Sequence, residues 1–419
     1  MQDSIPATMR AVVYRGANDL RLETVPVPAI QPGELLVKVA VCGVCPTDIK
    51  KIQHGALTPP RIFGHETAGV VVKTGTPRRD IRSAPFCVGD RVALHHHVPC
   101  LKCHFCRHRA FAQCPQYKRT GITAGFEPAG GGYAEYVRVM PFVLAGVVKI
   151  PRRNSFLEGA MLEPVNTVLK AVNRLALLRG DTVLVMGQGP IGLMFTGLLR
   201  LRGINVLATD LMDSRLELAR QWGAAAAFRG DDASLPRKVS QAAAKWQKWR
   251  AKRQPRFIGA ADHPTSFLDA AVVAVPSQAA VLQALELVRG SGKVLLFAHT
   301  HRGAGAVLHT GAFPQTPHRY YKSDTTDGTD TTDLTDPSDP PSLDLSTICV
   351  DEKDLIGSYS SDFTLQNEVA SLIFSRKLDI RGLITHQFPL EQTAAAIALA
   401  SSPVEDSLKL VVNQQLTKE

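Results

Sequence analysis

Apolar and polar positions follow two different rhythms along this chain. Up to about residue 155 the apolar runs are short and often broken. Arg10–Tyr14, Leu20–Val25 and Glu34–Ala40 read as strands, with Pro26, Pro28 and Pro32 punctuating them. Thr67–Lys73 and Asp90–Leu94 repeat the pattern around turns at Gly75 and Gly89, and the run from Gly130 to Val137 continues it. This part is expected to be mostly β, with its Cys and His residues on loops.

At Phe156 the period changes. Glu158–Leu178 has apolar residues at helical spacing and stops at Arg179-Gly180-Asp181. The apolar strand Thr182–Met186 follows, and Gly187-Gln188-Gly189-Pro190-Ile191-Gly192 opens another helix. Strands at 205–209, 268–273, 293–297 and 354–359 then alternate with helices at 214–222 and 277–288. Apolar strands alternating with helices specify a parallel sheet covered on both faces. A helix at 365–374, the stretch Leu383-Ile384-Thr385, a helix at 394–400 and the strand Leu408–Val412 complete the pattern. Two insertions interrupt this half, near 233–262 and 300–342.

A length of 419 residues suits two domains, and 45% hydrophobic with 21% charged residues is a globular composition. No apolar run reaches the roughly eighteen residues of a membrane span. The start, Met1-Gln2-Asp3-Ser4-Ile5-Pro6, lacks the basic and apolar regions of a signal peptide, so a cytoplasmic location is expected. Much of the net charge of +10 lies between Arg237 and Arg256, where eight basic residues and no acid surround Trp246 and Trp249. That segment suits either a phosphate backbone or, more simply, a solvated helical insertion. Asp324, Asp327, Asp330, Asp333, Asp336 and Asp339 recur among Thr, Ser and Pro; no Glu closes a calcium loop, and the composition is that of disorder.

Eight cysteines without a signal peptide point to metal before disulfides. Cys87 and Cys349 stand alone and are expected to be buried small hydrophobes. Cys100, Cys103, Cys106 and Cys114 can close a tetrahedron around a structural zinc. An iron–sulfur cluster is the competitor, and the close fourth Cys favours zinc. No recognition helix follows, against a nucleic-acid zinc finger. Cys42, Cys45 and Thr47 sit just past the strand 34–40, and Gly64-His65-Glu66 can loop back beside them. Cys, His and Glu are zinc-ligand types, and a few such groups with one position open make a catalytic site. The turn residues Gly187, Gly189, Pro190, Ile191 and Gly192 suit a pyrophosphate at a helix N-terminus. Asp210 at the end of the next strand favours NAD over NADP by repelling a 2′-phosphate, with Arg215 as the opposing signal. Of His95-His96-His97, at most one side chain is expected to face the cleft.

Taken together, several motifs carry a resemblance. They are Cys42-Gly43-Val44-Cys45 with Thr47-Asp48, Gly64-His65-Glu66-Thr67-Ala68-Gly69, Gly89-Asp90-Arg91-Val92, the four-Cys lobe, Glu163-Pro164 and the Gly187 turn. The chain resembles the zinc-dependent medium-chain dehydrogenase/reductase (alcohol dehydrogenase) family, nearest its sorbitol, threonine and polyol dehydrogenase branch, over residues 9–413 apart from the insertions. The resemblance implies an α/β fold. A GroES-like β-rich catalytic domain would span 1–160, completed by 361–419, and a Rossmann doubly wound parallel-sheet cofactor domain 161–360. It implies two zinc ions per chain, one structural and one catalytic. Cys45 and His65 would bind the catalytic zinc, with Glu66 and Glu163 as ligands or through its water, and Cys42 would be structural. Thr47 would relay the substrate proton. Two positions depart from the family: Pro46 stands where many relatives have Gly, and Lys50 where many have the His that ends the relay. Lys50 with a lowered pKa, or water, would take that place. The implied activity is hydride transfer between a secondary alcohol, polyol, sugar or amino alcohol and NAD, or less readily NADP, in a homodimer or homotetramer. The rivals are a nucleic-acid-binding zinc protein built on 237–256 and a zinc-independent reductase of the same fold.

Overall fold

The computed structural model describes residues 4–55, 57–75, 85–95, 98–120, 130–253, 268–298 and 348–416. The first half is built from β1 (Thr8–Gly16), β2 (Asp19–Pro26), β3 (Leu35–Gly43), α1 (Pro46–His54), β4 (Arg61–Ile62), β5 (Glu66–Thr74) and β6 (Arg91–Ala93). It continues with α2 (His104–Arg107), α3 (Pro115–Thr120), β7 (Tyr136–Val139), β8 (Val148–Lys149) and α4 (Phe156–Ala160). The second half runs α5 (Leu162–Leu175), β9 (Thr182–Met186), α6 (Pro190–Leu201), β10 (Asn205–Asp210), α7 (Asp213–Gln221), β11 (Ala226–Arg229) and α8 (Leu235–Arg253). Then follow β12 (Leu268–Val273), α9 (Gln278–Leu287), β13 (Val288–Leu296), β14 (Asp354–Gly357), α10 (Gln366–Phe374), β15 (Ile384–Phe388), α11 (Thr393–Ser401) and β16 (Lys409–Asn413).

The apolar strands of the second half form a six-stranded sheet in the order β11-β10-β9-β12-β13-β14, with every pair parallel. Chain order reverses between β9 and β12, and ligands of such sheets bind outside the strand ends at that reversal. The first half closes differently. β2-β1-β4 is a small antiparallel sheet, and a seven-stranded sheet runs β15-β16-β3-β5-β6-β8, with β7 also paired to β3. The β-branched run of β3 sits at its centre, its residues buried except for Lys38. β16 returns from the far end of the chain to lie antiparallel to β3, with Val411 opposite Gly43. Residues distant in sequence thereby flank the end of β3. One apolar core joins the two sheets, since Val41, Ala68 and Ala93 share a cluster with Val165 and Leu169 of α5 and Leu193 and Phe195 of α6.

Three expectations change. The helix expected over 158–178 is two helices that break at Met161. Pro164 has no N–H to donate to the carbonyl four residues back, and the new helix starts two residues before it, so the proline falls in a first turn that needs no such donor. The basic stretch is no free insertion: Leu235, Val239 and Ala243, at intervals of four, bury one face of α8 in a core cluster with Leu184, Met186 and Leu207. Cys87 and Cys349 are exposed rather than buried, because each lies at a surface turn. The aspartate repeat and the rest of 300–342 lie outside the described residues.

Candidate active site

Cys45 ends the strand-to-helix turn as the N-cap of α1, and its Sγ accepts a hydrogen bond from Thr47 N at 3.4 Å. Pro46 is well placed here, because the first helical residue has no use for an N–H and needs the φ that proline fixes. Asp48, Ile49 and Ile52 turn inward, while Thr47 and Lys50, three apart on the helix, line a cavity of about 430 Å³. His65 and Glu66 enter the same cavity from the start of β5. The ligand atoms of Cys45, His65 and Glu66 all lie within 4.8 Å of one another. Glu163, in the first turn of α5, lines the cavity too but stands outside that trio.

The trio is held by buried charges. His65 Nδ1 lies 3.1 Å from Asp48 Oδ1, both side chains being buried. Burial disfavours the imidazolium, yet the charges of Asp48 and Cys45 outweigh it and raise the His65 pKa well above the ordinary value. With Nδ1 committed to Asp48, Nε2 is the nitrogen left for a metal. Glu66 meets Lys409, whose Nζ is 2.7 Å from Oε1 and 2.8 Å from the Val44 carbonyl. Burial pushes the Glu66 carboxyl up against the pull of Lys409, and Glu66 keeps Lys409 charged in spite of its burial.

The opposite wall is the turn after β9. Gly187 has φ of 92°, and a Cβ on Gly192 would sit 1.8 Å from the Gly187 carbonyl oxygen, so both positions require glycine. At Gly189, the N-cap of α6, a Cβ would meet only Arg215 Nη1, at 4.0 Å. Gly189, Pro190, Ile191, Gly192 and Arg215 line the cavity, with Ala274 and Pro276 from the loop after β12. An open backbone cradle at a helix N-terminus fits the pyrophosphate of a dinucleotide. Asp210 is buried at the end of β10, where its carboxylate accepts from Gln188 N at 2.6 Å and Met212 N at 3.0 Å. It therefore holds the glycine turn in shape. Burial lowers the Lys50 pKa.

The second cluster suits a metal by its spacing. Cys103 and Cys106 Sγ are 3.4 Å apart, Cys100 and Cys106 Sγ 3.9 Å, and all four sulfurs including that of Cys114 lie within 4.8 Å of one another. Zinc–sulfur bonds of about 2.3 Å in a tetrahedron require sulfurs about 3.8 Å apart, and a disulfide would require about 2 Å. All four cysteines are free, and backbone hydrogen bonds from Lys102 and Cys103 lower the Cys100 pKa to about 6.

Cys42 is buried and its thiol is pushed up to about 12 by burial, as suits a packing residue. His95 is buried and faces Ser361 Oγ at 3.4 Å rather than the cavity; His96 and His97 lie outside the described residues. In the basic segment Trp246 and Trp249 stack on each other at 4.6 Å, and Trp246 donates to the Gly180 carbonyl. That ring is engaged within the chain. Sequence reading assigned no role to Asp48, Lys409, Tyr117 or Ser360. Lys409 had a signal: it shares the strand face of Val411, a core position, and a lysine there needs a partner.

Residues 31–152 match the alcohol dehydrogenase GroES-like domain family. A sorbitol dehydrogenase of Bombyx mori is 28% identical over 97% of this chain and 98% of its own length. A sorbitol dehydrogenase of Bacillus subtilis (strain 168) is 32% identical over 54% of this chain and 62% of its own length. Among solved structures, 2R,3R-butanediol dehydrogenase from Bacillus subtilis superposes with a TM-score of 0.68 at 21% identity, covering 97% of this chain and 99% of that one. No described helix is long and apolar enough to cross a membrane.

Proposed function

We propose that the chain is a zinc-dependent medium-chain dehydrogenase/reductase and that it oxidises a secondary alcohol of the polyol or sugar class with NAD. Its match to the alcohol dehydrogenase GroES-like domain and its full-length likeness to a sorbitol dehydrogenase support the family. One observation carries the reading. Cys45, His65 and Glu66 converge on the same cavity as the Gly189–Gly192 turn. Metal-ligand types and a dinucleotide cradle thus share one space.

Cys45, His65 and, from the cavity wall, Glu66 or Glu163 would hold a catalytic zinc, and the four-Cys lobe a structural one. When bound, zinc supplies Lewis acidity that favours loss of the alcohol proton, and the nicotinamide supplies the hydride acceptor. The protein orients both. Thr47 receives the hydroxyl proton and passes it along α1 to Lys50, whose burial favours its neutral, proton-accepting form. Asp48 fixes the His65 ring, and Asp210 combines support of the glycine turn with acceptance of the adenosine ribose hydroxyl. Its charge disfavours a 2′-phosphate, which supports NAD over NADP. The domain limits near 160 and 360, and assembly as a homodimer or homotetramer, belong to the same reading.

The test is an absorbance screen of secondary alcohols, polyols, sugars and amino alcohols with NAD and NADP, beside zinc analysis before and after chelation. Reduction of NAD by a polyol that disappears on zinc removal is expected. Turnover that survives complete removal of zinc would leave a zinc-independent reductase in its place.

A further inference from the structure

We propose that Tyr117 sets substrate specificity, forming with Ser360 a hydroxyl pair in the cavity wall that receives a second hydroxyl of a polyhydric substrate. This deepens the dehydrogenase reading above and rests on it. Tyr117 lies on α3, three residues after Cys114, and is 5% exposed. Its ring packs among Cys106 and Cys114, with Cys100, Cys103 and Phe111 around them. From that anchorage its hydroxyl lies 2.8 Å from Ser360 Oγ. Tyr117 and Ser360 line the same cavity as Cys45, His65 and Glu163. The four-Cys lobe thus reaches the substrate space through one side chain.

The pair is preorganised. Lys170 Nζ donates to the Tyr359 carbonyl at 2.9 Å, and Asp362 N donates to Asn166 Oδ1 at 2.8 Å, so α5 holds the segment on both sides of Ser360. A phenol hydroxyl can donate as well as accept, so it can serve Ser360 and a ligand hydroxyl together. Ser360 Oγ has lone pairs for a further partner. Ser358, 7% exposed and on the same wall, has a hydroxyl with no partner among the described residues. A buried hydroxyl left unpaired is unfavourable, and a ligand hydroxyl would satisfy it. Val44, Ile49, Met194, Phe297 and Leu410 make much of the remaining wall apolar. These hydroxyls are what separates a diol from a simple alcohol of the same length.

The experiment compares 2,3-butanediol with 2-butanol, which differ by one hydroxyl, in the full-length enzyme, Tyr117→Phe and Ser360→Ala. The wild type is expected to favour the diol in kcat/KM, and each variant to lower the diol-to-monoalcohol ratio about three- to tenfold. An unchanged ratio, an effect confined to the KM for NAD, or a wild type indifferent to the second hydroxyl overturns the proposal. Zinc content and Tm identify a variant that fails to fold, and Ser360→Ala then decides alone. A wild type that oxidises a polyol or sugar of the screen above but neither of these alcohols overturns this proposal alone. One that oxidises no member of that screen with either cofactor overturns the dehydrogenase reading with it.

Discussion

Lys409 and Glu66 form a buried ion pair, 2.7 Å between Nζ and Oε1, across 343 residues of chain. β16 lies against β3 and β3 against β5, so a residue near the end of the chain reaches the carboxylate beside Cys45 and His65. The pair places a protein cation beside a carboxylate that a metal also attracts. Removing one partner of a buried pair strands the other charge, at about 3–5 kcal/mol. Lys409→Met is therefore expected to lower stability by about that much in chelated protein. The loss should be smaller in zinc-loaded protein, where the metal is the alternative cation for Glu66. Denaturation of both forms measures it; equal losses would mean that Glu66 does not interact with the metal.

Mutation can separate the brace that Asp210 provides from the cofactor preference proposed for it. Its carboxylate accepts from Gln188 N and Met212 N, so Asp210→Ala would leave the glycine turn without its brace. Asp210→Asn keeps one acceptor oxygen and removes the charge. Hydrogen bonds to a charged group contribute about 1.5–3 kcal/mol, so the NAD-to-NADP ratio of kcat/KM should fall about tenfold or more. An unaltered ratio in a variant with normal Tm would show that Asp210 only braces the turn.

The two cysteine clusters should respond oppositely. In Cys45→Ser the cavity trio loses its thiolate while the fold keeps its packing, so kcat should drop roughly a hundredfold or more with Tm little changed. In Cys103→Ser the tetrahedron opens, zinc content should fall by about one ion per chain, and Tm should fall with it. Metal analysis and thermal denaturation of both variants check this. Full turnover in Cys45→Ser, or an unchanged Tm in Cys103→Ser, would exchange or void the assignments.

Most of the fold was legible because both sheets declare themselves locally. Val183, Leu184 and Val185 lie in a short apolar run bounded by turns, and the Gly187–Gly192 spacing, weak by itself, gains meaning from the strand before it and the helix after it. The metal-ligand types were legible for the same reason: Cys45, His65 and the four-Cys spacing are local motifs. Lys409, Tyr117 and Ser360 were not, since each acts through a contact set by sheet order or by an inter-element crossing. The break at Met161 was hidden because helical apolar spacing runs straight through it, and only the missing N–H of Pro164 marks it. Cys87 and Cys349 illustrate the limit of composition. A free cysteine is buried on average, but position in a turn decides the individual case.

Lys50 offers a test of the proton path. It lines the cavity one helical turn beyond Thr47, and burial lowers its pKa. Only the neutral amine accepts a proton, so alcohol oxidation should rise with pH as Lys50 deprotonates, below the pH at which an exposed lysine would titrate. Lys50→His substitutes a group of ordinary pKa about 6.5 and should move the rising limb of kcat to lower pH. Lys50→Met removes the acceptor and should lower kcat about tenfold to a hundredfold while flattening that limb, the range expected when one proton acceptor is lost. Thr47→Ala should reduce kcat without moving the limb, because the titrating group remains. Profiles of kcat against pH for the four proteins check the order of the path. An identical limb in wild type and Lys50→Met would place the final acceptor in solvent, with Lys50 reduced to a wall of the cavity.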